Sequence, residues 1–261
     1  MRKLLFALAV VPAAFAQAPT VPPPIVQIAC SPGYAAGPSK PYASARAAID
    51  AVGLSSATGA PQTWTIELHN NFASIEDLDK AIAAAGMAPA PRDAYGQSQD
   101  DLLLPPRTML AVFQPELSYR PDEAIRLLPK ARYMSITINR IRVGLEGDFE
   151  QLVRLRKLTN DSINLNRPEL AYRVISGAPT GVYLSIAPIA TLRSFDDGVA
   201  DLPAFAAPVA DERAKTAPKQ AEIEIGREHL LFRVEPRLSY VSDDFAAIDE
   251  PFWRGKPPAQ N

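Results

Sequence analysis

Leu110–Tyr119 reads LAVFQPELSY, and Leu231–Tyr240 reads LFRVEPRLSY. The two stretches share Leu110/Leu231, Pro115/Pro236, Leu117/Leu238, Ser118/Ser239 and Tyr119/Tyr240 at one constant offset, and Asp122/Asp243 follows at the same offset. Upstream, FASIEDLDKAI from Phe72 and IATLRSFDDGV from Ile189 repeat one pattern of apolar, small and acidic positions. Two echoes in the same order predict an internal duplication, so the architecture should consist of two copies of one unit.

Working outward, the second copy is the clearer one. Tyr133–Val143 alternates, with Met134, Ile136 and Ile138 on one face and Ser135, Thr137 and Asn139 on the other, which predicts a half-buried strand. Leu145, Phe149, Leu152, Val153 and Leu155 mark an amphipathic helix. Leu170–Ser176 and Val182–Ile186 read as two strands joined through a Gly-Ala-Pro-Thr-Gly turn, Thr191 opens a helix, and His229–Tyr240 is the closing strand. The order strand, helix, strand, strand, helix, strand is that of a ferredoxin-like unit.

The first copy fits the same order less completely. Ile25–Cys30 reads as a strand, Ala43–Val52 as a helix that stops at Gly53, Thr63–Asn70 as an alternating strand, and Ser74–Gly86 as a capped helix. Met109–Leu117 is its closing strand, and its second strand is not visible in the pattern.

The element order, the AYRVISG–GVYLSIAPI pair with a capped helix after it, and the closing strand resemble the dimeric α/β-barrel superfamily, in particular its NIPSNAP-like and antibiotic-biosynthesis-monooxygenase-like branches. The resemblance implies that paired ferredoxin-like sheets close a barrel with helices outside. The expected fold is therefore α+β: two tandem ferredoxin-like βαββαβ repeats, residues 25–131 and 132–250, forming one pseudo-two-fold α/β barrel. Residues 251–261 form a tail.

Ahead of the first copy, Arg2 and Lys3, the apolar run Leu4–Val11 and the Ala14-Phe15-Ala16 site predict a secretory signal peptide over 1–16. A Pro-rich leader follows over 17–24. Cleavage would leave a net charge of −4 in place of −2. The expected location is periplasmic or extracellular, with no transmembrane anchor after cleavage. That charge balance gives no pull towards nucleic acid. Cys30 is the single cysteine, so no internal disulfide is available, and a small buried residue on a strand is its expected role.

The chain has no nucleophile-elbow, phosphate-loop, dinucleotide-binding or zinc-protease motif, and no metal site or cofactor is predicted. Haem-degrading members of the resembled superfamily use a helical histidine, whereas His69 and His229 lie on expected strands. The acidic run Asp243, Asp244, Asp249 and Glu250 reads as a helix cap, and Arg140, Arg142, Arg154, Arg156 and Lys157 read as a solvated basic face.

The candidate site comes from strand parity. If Trp64, Ile66 and Leu68 face the outer helices, Glu67 and His69 enter the barrel interior as an acid–base pair. Arg233 and Glu235 enter from the closing strand as ligand-binding groups, together with Asn139 and Gln114. The expectation is a wet, polar interior. Two readings follow: a non-catalytic or small-ligand-binding barrel protein, or a cofactor-independent monooxygenase-like enzyme. A filled interior would favour the first. Substrate and oligomeric state, monomer or homo-oligomer, are left open by the sequence.

Overall fold

The computed structural model describes residues 20–33, 49–84, 107–193 and 202–255. Eight strands close a barrel: β1 (Ile25–Pro32), β2 (Ala51–Ser56), β3 (Gln62–His69), β4 (Arg107–Phe113), β5 (Tyr133–Ile141), β6 (Leu170–Ser176), β7 (Val182–Ile189) and β8 (Glu224–Val234). Their order around the barrel is β1-β3-β2-β8-β5-β7-β6-β4, and every neighbouring pair is antiparallel. Read as two sets of four, the order is β4-β1-β3-β2 and β8-β5-β7-β6, the same permutation in each half. The α-helices among the described residues are α1 (Ala73–Ala84), α2 (Pro121–Leu127), α3 (Glu146–Ser162), α4 (Leu202–Ile223), α5 (Asp243–Ala247) and α6 (Glu250–Trp253). The fold is α+β, as expected.

The two quoted stretches occupy equivalent places. They end β4 and β8, which run in the same direction around the antiparallel barrel and so finish at the same end. Each then turns through one short 3-10 helix, Pro115–Leu117 or Pro236–Leu238. The chain next drops a helix pair or turn across that end. Ala124, Ile125 and Leu128 from one half, and Phe245, Ala246 and Trp253 from the other, pack on the barrel core as a plug. The two plugs meet where the Trp253 indole N–H donates to the Pro129 carbonyl at 2.7 Å.

The repeated spacing of Ser and Tyr within the two stretches has a structural counterpart in the two seams between halves. Ser118 Oγ accepts from the Ala171 N–H of β6 at 2.8 Å and donates to the Gln114 carbonyl at 2.9 Å. Ser239 Oγ accepts from the Gly53 N–H of β2 at 2.9 Å and donates to the Glu235 carbonyl at 2.8 Å. Beside them, Tyr119 pairs through its backbone with Glu169, and Tyr240 with Ala51. Each copy of the motif thus ties its own closing strand to the second strand of the other half.

Two expectations are corrected. Ala51–Gly53 belongs to strand β2, not to a helix ending at Gly53; β2 is the strand that the pattern failed to reveal. The rest of that expected helix, and the expected helix after Leu192 with Phe195 and Val199, lie largely outside the described residues. Gly53 serves a close approach within the strand: a Cβ there would stand 2.4 Å from the Leu238 Cβ and 2.5 Å from its carbonyl carbon. The closing strands also start and stop earlier than expected, because Pro115 and Pro236 cannot continue a ladder and begin the 3-10 turns instead.

The second correction concerns the two faces of the sheet. Val26, Ile28, Val52, Leu54, Trp64, Ile66, Met109, Met134, Ile136, Leu184, Phe232 and Val234 form one continuous core. Helix α3 packs elsewhere, its Phe149 and Val153 against Tyr183, Ala171 and Ile141. Tyr183 alternates with Val182 and Leu184, so the continuous core is the face away from the helix: the barrel interior. Ile28, Leu54, Met109, Ile136, Leu184 and Phe232 are each 0% exposed. The apolar strand faces therefore point inward, and the expected wet polar interior is overturned. A closed eight-stranded barrel is just wide enough for its side chains to fill. That enclosed volume excludes water more completely than a partial helix layer does, so the apolar set goes there. Trp64 and Phe232 meet across it with centroids 4.9 Å apart. Near the plugged end, a space of about 20 Å³ remains among Val26, Ile66, Leu68, Tyr172 and Ile186.

Candidate functional site

The six residues singled out by parity lie on the outer face of the barrel and do not converge. Glu67 and His69 stay together on β3 and are buried at 1% and 0% exposure, beside the start of α1. His69 Nδ1 lies 2.9 Å from Ser74 Oγ, and His69 Nε2 lies 3.4 Å from Glu67 Oε2. Gln27 Nε2 donates to the same carboxylate oxygen at 3.2 Å. The Ser74–His69–Glu67 chain has the composition of a nucleophilic triad but a different hydrogen-bond direction. Ser74 Oγ donates its proton to the Asn71 carbonyl at 2.6 Å, so it accepts from Nδ1–H. The hydroxyl is thereby committed to fastening the first turn of α1, where Ser74 N–H also donates to Asn71 Oδ1. An activated serine needs the reverse arrangement, with the imidazole accepting the hydroxyl proton.

Glu235 and Gln114 are twin positions on opposite seams. Glu235 Oε1 accepts from Ser55 Oγ at 2.6 Å, while Gln114 Nε2 donates to the Val112 carbonyl at 3.2 Å. Asn139 pairs in register with Arg227, and its Oδ1 accepts from Arg227 Nε at 3.0 Å. Arg233 is exposed at the plugged end. The polar set thus divides into a seam bond at Glu235, a helix anchor at Glu67 and His69, a buried Asn139 paired with Arg227, a half-buried Gln114 and one exposed position, Arg233.

A groove of about 650 Å³ runs between α3 and α4. Leu152, Leu155 and Leu158 supply an apolar wall, and Gln220, Glu224 and Arg227 supply a polar one. Glu224 accepts from both Gln220 Nε2 and the Arg227 guanidinium, so the polar wall is an ordered network. Leu155 and Leu158 are 46% and 66% exposed. Sequence reasoning missed this groove, though a signal was present. Phe149 and Val153 define the packed face of α3, and Leu155 and Leu158 lie far round the helix from it. Apolar residues around most of a helix imply a second apolar contact.

The basic cluster behaves as a solvated face with neighbouring partners. Arg154 reaches Glu150 at 3.4 Å, Arg156 reaches Glu169 at 3.7 Å, and Lys157 donates to the Glu116 carbonyl at 2.8 Å. Burial pushes the Glu169 carboxyl above its ordinary range, and Arg156 opposes that shift. Tyr183 donates to Glu150 Oε1 at 3.0 Å; desolvation, with the Glu150 contact, pushes its phenol up to about 12. In the acidic run, Ser242 caps α5, Asp243 pairs with Arg254 at 2.6 Å and Asp249 pairs with Arg132 at 2.5 Å. Cys30 is buried on β1, as expected, and faces the apolar interior, where burial pushes its thiol up to about 11. No group of three or more metal-ligating side chains occurs among the described residues. Neither histidine fits a haem ligand: His69 has both ring nitrogens engaged in a buried site, His229 lies on β8 with Nδ1 3.0 Å from Thr137 Oγ1, and the interior has no room for a macrocycle.

No family model matches the chain, and no curated protein matches its sequence. Among solved structures, it is similar to a candidate monooxygenase from Fusobacterium nucleatum at 11% identity, covering 82% of this chain and 93% of that one, with a TM-score of 0.47. A heme-binding protein from Thermus thermophilus is similar at 11% identity, covering 83% and 95%, with a TM-score of 0.44. A chlorite dismutase variant from Candidatus Nitrospira defluvii is similar at 11% identity, covering 89% and 97%, with a TM-score of 0.43.

Proposed function

We propose that this chain is an exported, non-catalytic small-ligand-binding protein built on a tandem ferredoxin-like barrel, with its ligand in the groove between α3 and α4. The observation that carries this reading is the filled interior. With Ile28, Leu54, Met109, Ile136, Leu184 and Phe232 fully enclosed, a ligand-sized space exists only outside the strands among the described residues. A site of about 650 Å³ with a leucine wall facing a hydrogen-bonded Arg–Glu–Gln wall suits an amphipathic molecule of metabolite size.

The duplication reading is supported by the identical strand permutation in both halves and by the paired Ser118 and Ser239 seams. A common origin as a tandem relative of the dimeric α/β-barrel superfamily accounts for both. Export is supported by the charged start, short apolar run and small-residue site of residues 1–16. Intact-mass measurement of protein recovered from the envelope fraction should give a chain starting at Gln17. A cytoplasmic chain that retains Met1 would exclude export.

The binding reading is tested by incubating the purified protein with a metabolite mixture and identifying what is retained by native mass spectrometry. A retained amphipathic compound should be lost in Leu155→Asp, a substitution at a half-exposed position that leaves the barrel intact. Retention unchanged in that variant would remove the groove from consideration.

A further inference from the structure

A second concavity of about 400 Å³ opens on the outer face at the plugged end, lined by Arg132, Tyr133, Leu192, Arg233, Val234 and Phe252 among others. Tyr133 and Arg233 are register partners on β5 and β8, so both side chains leave the sheet on the same side. Arg132 lies flat over Phe252, 3.8 Å from its ring centroid, and its guanidinium is fixed by Asp249 at 2.5 Å and the Lys130 carbonyl at 3.1 Å. The charge of Arg132 is therefore matched. That of Arg233 is not: no carboxylate among the described residues lies within 4.0 Å of it, and no hydrogen bond uses its guanidinium. The nearest acid along the strand, Glu235, is engaged with Ser55 Oγ.

We propose that this pocket binds a small monocarboxylate with an apolar body. The Arg233 guanidinium offers a fork of N–H donors that fits a carboxylate in two-point contact. One unmatched positive charge calls for one negative charge; a dianion would bring a second charge with no partner. Phe252 and Leu192 supply the surface for the apolar part, and the Arg132–Phe252 stack holds that surface rigid. The pocket shares no lining residue with the α3–α4 groove, so this inference stands or falls independently of the groove reading.

The test is a calorimetric titration of the full-length mature protein at low salt with benzoate, and with benzamide as its neutral isostere. Benzoate should bind, and benzamide should bind at least about tenfold more weakly, because only the anion engages the guanidinium. Arg233→Gln should reduce benzoate to the level of benzamide. Arg237→Gln, which removes an exposed charge outside the pocket, should leave the benzoate titration unchanged. Absence of benzoate binding up to about 10 mM, equal affinity for the two compounds, or an unaltered Arg233→Gln titration would each overturn the proposal. Displacement of benzoate by equimolar inorganic phosphate would overturn the assignment to an apolar monoanion.

Discussion

Replacing Ser118 by alanine should weaken one seam of the barrel by an amount that can be worked out from its bonds. The hydroxyl makes two contacts, accepting from the Ala171 N–H at 2.8 Å and donating to the Gln114 carbonyl at 2.9 Å. The carbonyl loses little, because it also accepts from the Leu117 and Ser118 amides, each at 3.1 Å. The Ala171 amide loses its partner outright, in a site where Ser118 is 0% exposed and Ala171 is 5% exposed. An orphaned buried donor costs ~1–3 kcal/mol, so the expected loss is about 2 kcal/mol. For a domain of this size, that lowers the thermal midpoint by roughly 4–8 °C. Ser118→Thr keeps the oxygen and should recover part of the loss. Ser239→Ala removes the equivalent bond to Gly53 at a less enclosed position and should cost less. The seams are on opposite sides of the barrel and share no partner, so the double variant should be additive to within about 0.5 kcal/mol. Urea unfolding monitored by tryptophan fluorescence measures all four variants. A Ser118→Ala change smaller than about 0.5 kcal/mol, at the level of an ordinary surface substitution, would refute the claim that this hydroxyl joins the halves.

Three further outcomes are expected. Gly53→Ala should destabilise by ~1–3 kcal/mol in the same urea assay, because its new Cβ meets the Leu238 backbone as well as its side chain, and trimming Leu238 to alanine should not rescue it. Asp50 is buried, and desolvation raises its carboxyl pKa despite the 2.6 Å bond from the Ser242 amide; stability from this group is therefore full below the unfolded value of 3.8 and falls as pH rises through the higher folded value. Asp50→Asn should accordingly be at least as stable as the parent at pH 7, with its advantage vanishing below about pH 4 in pH-dependent thermal melts. Cys30, with its thiol at about 11, should resist iodoacetamide at pH 8 in the native protein and react readily in urea; equal rates would show that the interior is open.

The barrel was legible where the chain repeats itself. The spacing of Pro115, Ser118 and Tyr119 against Pro236, Ser239 and Tyr240 identified two equivalent closing strands, and the alternation in Tyr133–Ile141 and Gln62–His69 identified strands correctly. Strand β2 was hidden because AVGLSS is short and its inward Val52 and Leu54 alternate with the small Ala51 and Gly53 and not with polar residues. Both its faces are covered, so Ala51, Val52, Gly53 and Leu54 are all buried, and a strand buried on both sides carries no period of two. The candidate site failed for a different reason. Period-two patterning separates a strand into two faces but does not say which face closes the barrel. Glu67 and His69 were correctly separated from Trp64 and Ile66, then assigned to the wrong side.

That inversion determines where function can reside. A barrel sheet that turns its polar face inward encloses a polar chamber, and helices outside it then cover apolar strand residues. Here the inward face carries Leu54, Met109, Ile136, Leu184 and Phe232, all fully buried, and a space of about 20 Å³ lies among their neighbours near the plugged end. The barrel then serves as a rigid core, and burial of each such side chain contributes ~1.5–3 kcal/mol to holding the outer face in place. The outer face becomes the place where polar groups are arranged. One set fastens α1 through His69 and Ser74, one set closes the seams through Ser118 and Ser239, and Arg227 with Glu224 orders one wall of the α3–α4 groove. Arg233 belongs to none of these sets. Its guanidinium is an exposed fork in a concave pocket with no carboxylate among the described residues within 4.0 Å, on a strand held by the rigid core beneath it.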